Sequence, residues 1–357
     1  MIPVTKTYLP DINKYKKYVD EIYQSGWVTN NGKFVRELEE RLSEYLGVEN
    51  LVLVANGTLA LEIAYRVLEI ENFAITSPFS FVATVSSLVV NKISPVFVDI
   101  NPKTLLINEN EIEKNFNKEI SAIVPVHVFG NVCNVEKIDM IAKKYNLKVV
   151  YDAAHCFGIK YKNESILKYG DISILSFHAT KVFHTIEGGA LIVNNKELVE
   201  KVRYMINFGI KNEEEIASLG INAKMNEFEA AMGLCMLDEI DYIFEKREEV
   251  WYRYYNSLKN YCEFPQRNIY ATNNYGYFPV IFKSETELKK IKKALNEADI
   301  FPRRYFYPSL DSLSYIKNQY MPISRDIGKR VLCLPLYPEL DKNNQEKIIE
   351  IIIKEVL

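Results

Sequence analysis

Between positions 51 and 68 the chain reads Leu51-Val-Leu-Val54-Ala-Asn56-Gly57-Thr58-Leu-Ala-Leu61-Glu-Ile-Ala-Tyr-Arg-Val-Leu68. The first four residues form an apolar run of strand length, too short for a buried helix. Asn56-Gly57-Thr58 breaks that run with turn-forming residues, and Leu59 to Leu68 then reads as a helix. Strand, tight turn and helix together make the repeating unit of a sheet with helices packed on its faces.

The same alternation extends both ways from this unit. Upstream, Phe34, Val35, Leu38, Leu42, Tyr45 and Leu46 recur at helical spacing and Gly47 follows as a stop. Downstream come Ala74 to Thr76 (strand), Ser80 to Val90 (helix), Pro95 to Val98 and Ala122 to Val126 (strands), Val135 to Tyr145 (helix) and Leu147 to Tyr151 (strand). Ile172 to Phe177 and Ala190 to Val193 add two strands separated by a polar loop, a spacing that allows one antiparallel member. The expectation is a mostly parallel α/β/α sheet domain. Beyond about residue 235 the pattern changes to a long charged helix from Leu237 to about Leu258, a strand from Tyr277 to Phe282, and helices over Glu285 to Ala298 and Lys342 to Val356. This divides the chain into a large domain, 1–235, and a smaller C-terminal α+β domain, 236–357.

Composition narrows the functional classes. The 357 residues include 44 Lys and Arg against 47 Asp and Glu, a formal charge of -3, so nothing global favours nucleic acid or an anionic membrane surface. The longest apolar-looking stretch, Phe79 to Val90, is interrupted by Ser80, Thr84, Ser86 and Ser87 and falls short of the ~20 residues a membrane span needs. The opening Met-Ile-Pro-Val-Thr-Lys lacks a secretory pattern, and the expectation is a soluble, cytoplasmic protein. The 5 cysteines are scattered without paired spacing and the 4 histidines show no metal-ligand pattern, so free thiols and no dedicated metal site are expected.

Ligands of open α/β sheets bind beyond the carboxyl ends of the strands, and three polar features stand there. Asn56-Gly57-Thr58 opens a helix whose free N–H groups suit a phosphate, although a turn and a helix cap would read the same way. Asp152 directly follows the apolar run Leu147 to Tyr151, where a carboxylate needs a cationic partner or a capping role. Ser176-Phe-His-Ala-Thr-Lys181 follows another strand, with Glu187-Gly-Gly189 behind it; a lysine amine in a partly desolvated pocket can lose its proton and attack an aldehyde. A phosphate, a protonated ring nitrogen and an aldehyde are the groups of pyridoxal 5'-phosphate. Asp152 and Lys181 lie 29 residues apart on two successive strand ends, with the phosphate turn about a hundred residues earlier, and this order and spacing add weight to the reading.

These pieces are joined by Ser77-Pro-Phe-Ser-Phe81-Val-Ala-Thr84, Pro95-Val-Phe-Val-Asp99, Pro125-Val-His127-Val-Phe-Gly130, Tyr151-Asp-Ala-Ala-His155, Asn207-Phe-Gly209 and Gly220-Ile-Asn222-Ala-Lys-Met225. In that order they resemble the fold-type I pyridoxal-phosphate enzymes, and within them the DegT/DnrJ/EryC1/StrS sugar aminotransferases, over nearly the whole chain. The resemblance implies that Lys181 bonds the cofactor's aldehyde and moves the proton, and that Asp152 keeps the ring nitrogen protonated. It further implies that Gly57, Thr58 and Ser176 hold the phosphate, Phe81 stacks on the ring, and His155 meets the phenolic oxygen. Asn222 would complete the phosphate cradle of a neighbouring subunit, making the active site of a homodimer a shared one. Related enzymes that deoxygenate the sugar carry His in place of the lysine, so Lys181 favours transamination.

The resemblance further implies amino transfer from L-glutamate to the C4 ketone of a nucleotide-linked 4-keto-6-deoxy sugar, such as dTDP-4-keto-6-deoxyglucose. C3-aminating enzymes, amino-acid-directed fold-type I enzymes and a non-catalytic binding protein remain as alternatives. Trp27, His184, Arg303, Arg304 and Tyr305 are candidates for the substrate side, the arginine pair for a diphosphate.

Overall fold

The computed structural model describes residues 1–317 and 319–357. The chain begins with a two-residue strand β1 (Ile2–Pro3), then helices α1 (Ile12–Ser25) and α2 (Lys33–Leu46). The alternating part runs β2 (Leu51–Val54), α3 (Gly57–Val67), β3 (Phe73–Thr76), α4 (Val82–Val90), β4 (Ser94–Phe97), β5 (Ile120–Val124), α5 (Val135–Tyr145) and β6 (Lys148–Asp152). A small antiparallel ribbon, β7 (Lys160–Tyr161) with β8 (Glu164–Ser165), precedes β9 (Ile172–Ser176), β10 (Gly189–Val193) and α6 (Val199–Met205). The remainder is α7 (Glu227–Asp238), α8 (Ile240–Leu258), β11 (Pro279–Ile281), α9 (Glu285–Glu297), β12 (Ile300–Phe301), α10 (Pro322–Arg330), β13 (Val331–Cys333) and α11 (Lys342–Val356).

Seven strands form one sheet in the order β2-β10-β9-β6-β5-β3-β4. Only β10 runs against its neighbours, so the carboxyl ends of β2, β9, β6, β5 and β3 lie on one edge. The fold is thus the mostly parallel α/β arrangement that the alternation implied. Strand side chains alternate between faces, which explains why β2 is apolar throughout. Leu51 and Leu53 pack with Phe34, Leu38 and Leu42 of α2, whereas Val52 and Val54 pack with Ala60, Leu61 and Ala64 of α3. Full burial of each large side chain contributes about 1.5–3 kcal/mol, so the five buried residues of α2 anchor that helix. Gly47, at φ 64°, ends it in the left-handed conformation that glycine adopts without strain.

A separate core gathers Val250, Tyr254 and Leu258 of α8, Val280 of β11, Leu288 and Ile291 of α9, Leu332 of β13 and Ile348 and Ile352 of α11. Two details depart from the simple division of the chain. Position 235/236 falls inside α7, whose capping box at Asn226 and Glu229 starts a helix continuous to Asp238. Strand β1 pairs with β12 instead of the large sheet, tying the first residues to the C-terminal part. Among the described residues no helix is long and apolar enough to cross a membrane.

Candidate active site

The turn between β2 and α3 is built for close approach. The Asn56 side chain accepts the Leu59 N–H at 2.9 Å and starts the helix at Gly57, leaving first-turn N–H groups directed outward. A Cβ on Gly57 would sit 2.9 Å from Ser176 Cβ, and one on Gly189 would sit 2.7 Å from the Asn56 carbonyl carbon. Both glycines are therefore required for the turn to lie against the ends of β9 and β10. The result is a concave patch of backbone amides, the Thr58 and Ser176 hydroxyls and a positive helix end, all suited to a phosphate.

Asp152 is the last residue of β6, locked by its own backbone: its N–H donates to the Pro125 carbonyl at 3.0 Å and its carbonyl accepts the His127 N–H at 3.1 Å. Its carboxylate is buried and accepts the Thr84 hydroxyl at 2.7 Å and the Ala154 N–H at 3.2 Å. Burial raises its pKa above the ordinary carboxylate value, against the pull of those two donors and of Lys181. Among the described residues no Lys or Arg pairs with it directly, so its charge awaits a cation delivered from the cavity.

Lys181 projects from the loop between β9 and β10. Phe177 N–H donates to Gly188 at 2.8 Å and Thr185 N–H to Phe177 at 2.9 Å, closing the loop on itself. Phe183 is buried and stacks on Phe157 with ring centres 4.4 Å apart, pinning the loop from below. The Lys181 N–H donates to the His178 carbonyl at 2.8 Å, and its Nζ reaches Tyr277 Oη at 3.4 Å. Desolvation lowers this amine to about 8, within reach of a neutral, nucleophilic form.

A cavity of about 270 Å³ joins these groups, with Gly57, Thr58, Phe81, Asp152, His155, Ser176, Lys181, Arg303 and Tyr305 all on its wall. His155 accepts the Phe129 N–H through Nδ1 at 3.1 Å, and burial together with Lys181 holds its imidazole well below its usual pKa. The Arg303 guanidinium lies 4.6 Å from the Tyr305 ring and has no carboxylate partner among the described residues.

Four other residues singled out from the sequence lie elsewhere. His184 is buried with Nε2 2.7 Å from the Tyr8 carbonyl and Nδ1 accepting the Ile186 N–H at 3.2 Å, so it anchors the lysine loop and does not face the cavity. Arg304 turns away from Arg303, donating to Glu285 at 3.1 Å and to the Gly328 and Lys329 carbonyls at the end of α10. Trp27 follows the left-handed Gly26 that ends α1 and is exposed outside the cavity wall. Asn222 is also exposed outside this chain's cavity, accepting Lys224 Nζ at 2.7 Å. Sequence reasoning gave no role to Ser80, Thr84, Glu187, Tyr277 or Phe306. Ser80, Thr84 and Glu187 lie inside quoted motifs, whereas Tyr277 and Phe306 carry no local signal.

The residues fit a pyridoxal phosphate at this place: a cradle that a Cβ would fill, a buried carboxylate facing a cavity, and an amine of lowered pKa. Sheet and site together define a fold-type I aminotransferase. The chain belongs to the DegT/DnrJ/EryC1/StrS aminotransferase family, whose sequence profile matches residues 11–353. It is 42% identical to the dTDP-4-amino-4,6-dideoxy-D-glucose transaminase of Shigella dysenteriae, over 98% of this chain and 97% of that protein. It superposes on the crystal structure of DesI, determined in the presence of its TDP-sugar product, with a TM-score of 0.94 at 26% identity, over 99% of this chain and 93% of DesI. It also superposes on NtdA from Bacillus subtilis with bound cofactor PMP, with a TM-score of 0.89 at 26% identity, over 97% of this chain and 82% of NtdA.

Proposed function

We propose that this protein, with pyridoxal 5'-phosphate bound, moves the amino group of L-glutamate to the C4 ketone of a nucleotide-linked 4-keto-6-deoxy sugar, dTDP-4-keto-6-deoxyglucose being the leading substrate. The observation that carries the reading is the convergence of Lys181 and Asp152 on one cavity beside the Gly57 cradle. The similarity to the Shigella dysenteriae transaminase supports the choice of sugar. When bound, the cofactor supplies an aldehyde that accepts the amino group and a ring that holds the electrons released with the donor's α-proton.

The chain's own residues account for the remaining work. Gly57, Thr58 and Ser176 would hold the phosphate. Asp152, whose charge is disfavoured by burial and only partly supported by Thr84 and Ala154, would be ionised by pairing with a protonated ring nitrogen. Phe81 would pack on the cofactor, and His155, held neutral by burial, would offer a hydrogen bond to its phenolic oxygen. Lys181 Nζ takes a proton from the donor carbon in one half of the cycle and returns one to the sugar carbon in the other. Arg303 at the cavity wall receives the anionic part of each substrate.

A homodimer is part of this proposal. Asn222 sits beside a loop whose Phe208, Ile216 and Leu219 are 50%, 74% and 80% exposed, a surface that a second copy would cover while Asn222 enters the partner's phosphate site. Incubation with pyridoxal phosphate, glutamate and a panel of nucleotide ketosugars tests the function. Equal amounts of 2-oxoglutarate and a 4-amino sugar are expected from the dTDP-linked 4-ketone. Amination of 3-ketones alone, or of no sugar, would overturn it.

A further inference from the structure

Tyr277 belongs to the C-terminal part of the chain, yet its hydroxyl is the partner of the Lys181 amine at 3.4 Å and has no other hydrogen-bond partner among the described residues. The separation is long for such a bond, as is common at catalytic groups before a ligand tightens them. Its ring is fixed from three sides. His155 lies against it with centroids 4.5 Å apart, Phe129 at 5.6 Å, and Tyr305 stands perpendicular at 5.9 Å.

The backbone leading to Tyr277 is registered to the loop that follows Asp152. The buried Asn274 side chain donates to the His155 carbonyl at 2.9 Å and to the Phe157 carbonyl at 3.1 Å, while accepting the Gly276 N–H at 3.1 Å. Arg247 of α8, buried and without a carboxylate partner among the described residues, donates toward the Tyr275 carbonyl at 3.4 Å and the Leu336 carbonyl at 3.2 Å. Two buried polar side chains thus hold one short segment in place. A phenol both donates and accepts, so it can partner the lysine amine before and after that amine takes up a proton.

We propose that Tyr277 is a positioning residue for Lys181. Its hydroxyl holds the amine aimed across the cavity whenever the amine is not bonded to the cofactor. This rests on the assignment of Lys181 as the cofactor-bonding lysine, and it couples the C-terminal part of the chain to the proton-transfer group of the sheet domain. In this role the hydroxyl steers the amine, so its loss acts on rate more than on binding.

The test compares wild type and Tyr277→Phe as cofactor-free full chains. Capture of pyridoxal phosphate and of formaldehyde by Lys181 is fixed with cyanoborohydride and timed by peptide mass spectrometry. Capture of the docked aldehyde depends on aim and should slow roughly tenfold in the variant, whereas formaldehyde, which reacts from any direction, should react within about twofold of wild type. With the cofactor restored, kcat should fall roughly tenfold in both half-reactions while each KM stays within about twofold. Both rates are taken at a temperature where circular dichroism shows wild type and variant fully folded, so that the ratio reports the aim of the amine and not unfolding. An equal ratio in the two proteins would overturn the proposal. A wild type that captures no pyridoxal phosphate at Lys181 would instead overturn the reading on which it rests.

Discussion

Thr84 Oγ1 donates to Asp152 Oδ2 at 2.7 Å, and Ser80 Oγ lies 2.8 Å from the same threonine oxygen. Helix α4 therefore reaches across the strand ends and holds the buried carboxylate from the side opposite its own backbone. A hydrogen bond to a charged group contributes about 1.5–3 kcal/mol. Thr84→Val should raise the dissociation constant for pyridoxal phosphate roughly tenfold or more, and Asp152→Asn should lower kcat/KM on the order of a thousandfold. Absorbance titration and steady-state kinetics check both. An unchanged cofactor affinity in Thr84→Val would contradict the relay.

The adjacent arginines should separate cleanly by assay. Arg303 faces the cavity and Arg304 braces α9 against the end of α10. Arg303→Gln should raise KM for the sugar nucleotide by roughly tenfold with little change in melting temperature. Arg304→Gln should do the reverse, lowering the melting temperature while leaving KM near wild type. The opposite pattern would show that the cavity wall is misassigned.

Lys181 gives a pH dependence of definite sign. Burial lowers its amine from 10.5 to about 8, so between those values the unfolded chain holds a proton that the folded chain has released. Stability of the cofactor-free protein should rise with pH across that window. Lys181→Met lacks this titration, so urea unfolding from pH 8 to 10 should show wild type gaining on the variant. A difference that stays constant with pH would contradict the lowered value.

Asp99, just beyond β4, caps α10 by accepting the Ile323 N–H at 2.8 Å, the Ser324 N–H at 2.9 Å and the Ser324 hydroxyl at 2.6 Å. This latch joins the sheet edge to the C-terminal part of the chain. Asp99→Ala should cost about 1–2 kcal/mol and lower the melting temperature by about 1–3 °C in a calorimetric scan.

The legible parts of this fold are those in which local sequence and final environment agree. The span from Leu51 to Leu68 reads as strand, turn and helix because its apolar residues, the half-buried Ala55 and Leu59 apart, are buried by their neighbours around the sheet. Asp152 and Lys181 were visible as polar residues at strand ends. Helix α7 was not: from Ala230 to Leu237 every residue is buried, so no polar face marks its period. Helix α1 was missed for the opposite reason, since Ile22 is its only buried residue. His184 and Arg304 have the right chemistry, yet sequence does not say which way a side chain turns. Tyr277 reaches Lys181 from 96 residues away, a proximity only the folded chain creates.

The central claim is a covalent bond between one lysine and the cofactor. Treating the pyridoxal-phosphate-loaded protein with borohydride and mapping its peptides should place a single phosphopyridoxyl group on Lys181, and prior incubation with glutamate should abolish the labelling. A label on another lysine, or none anywhere in the chain, would contradict the account.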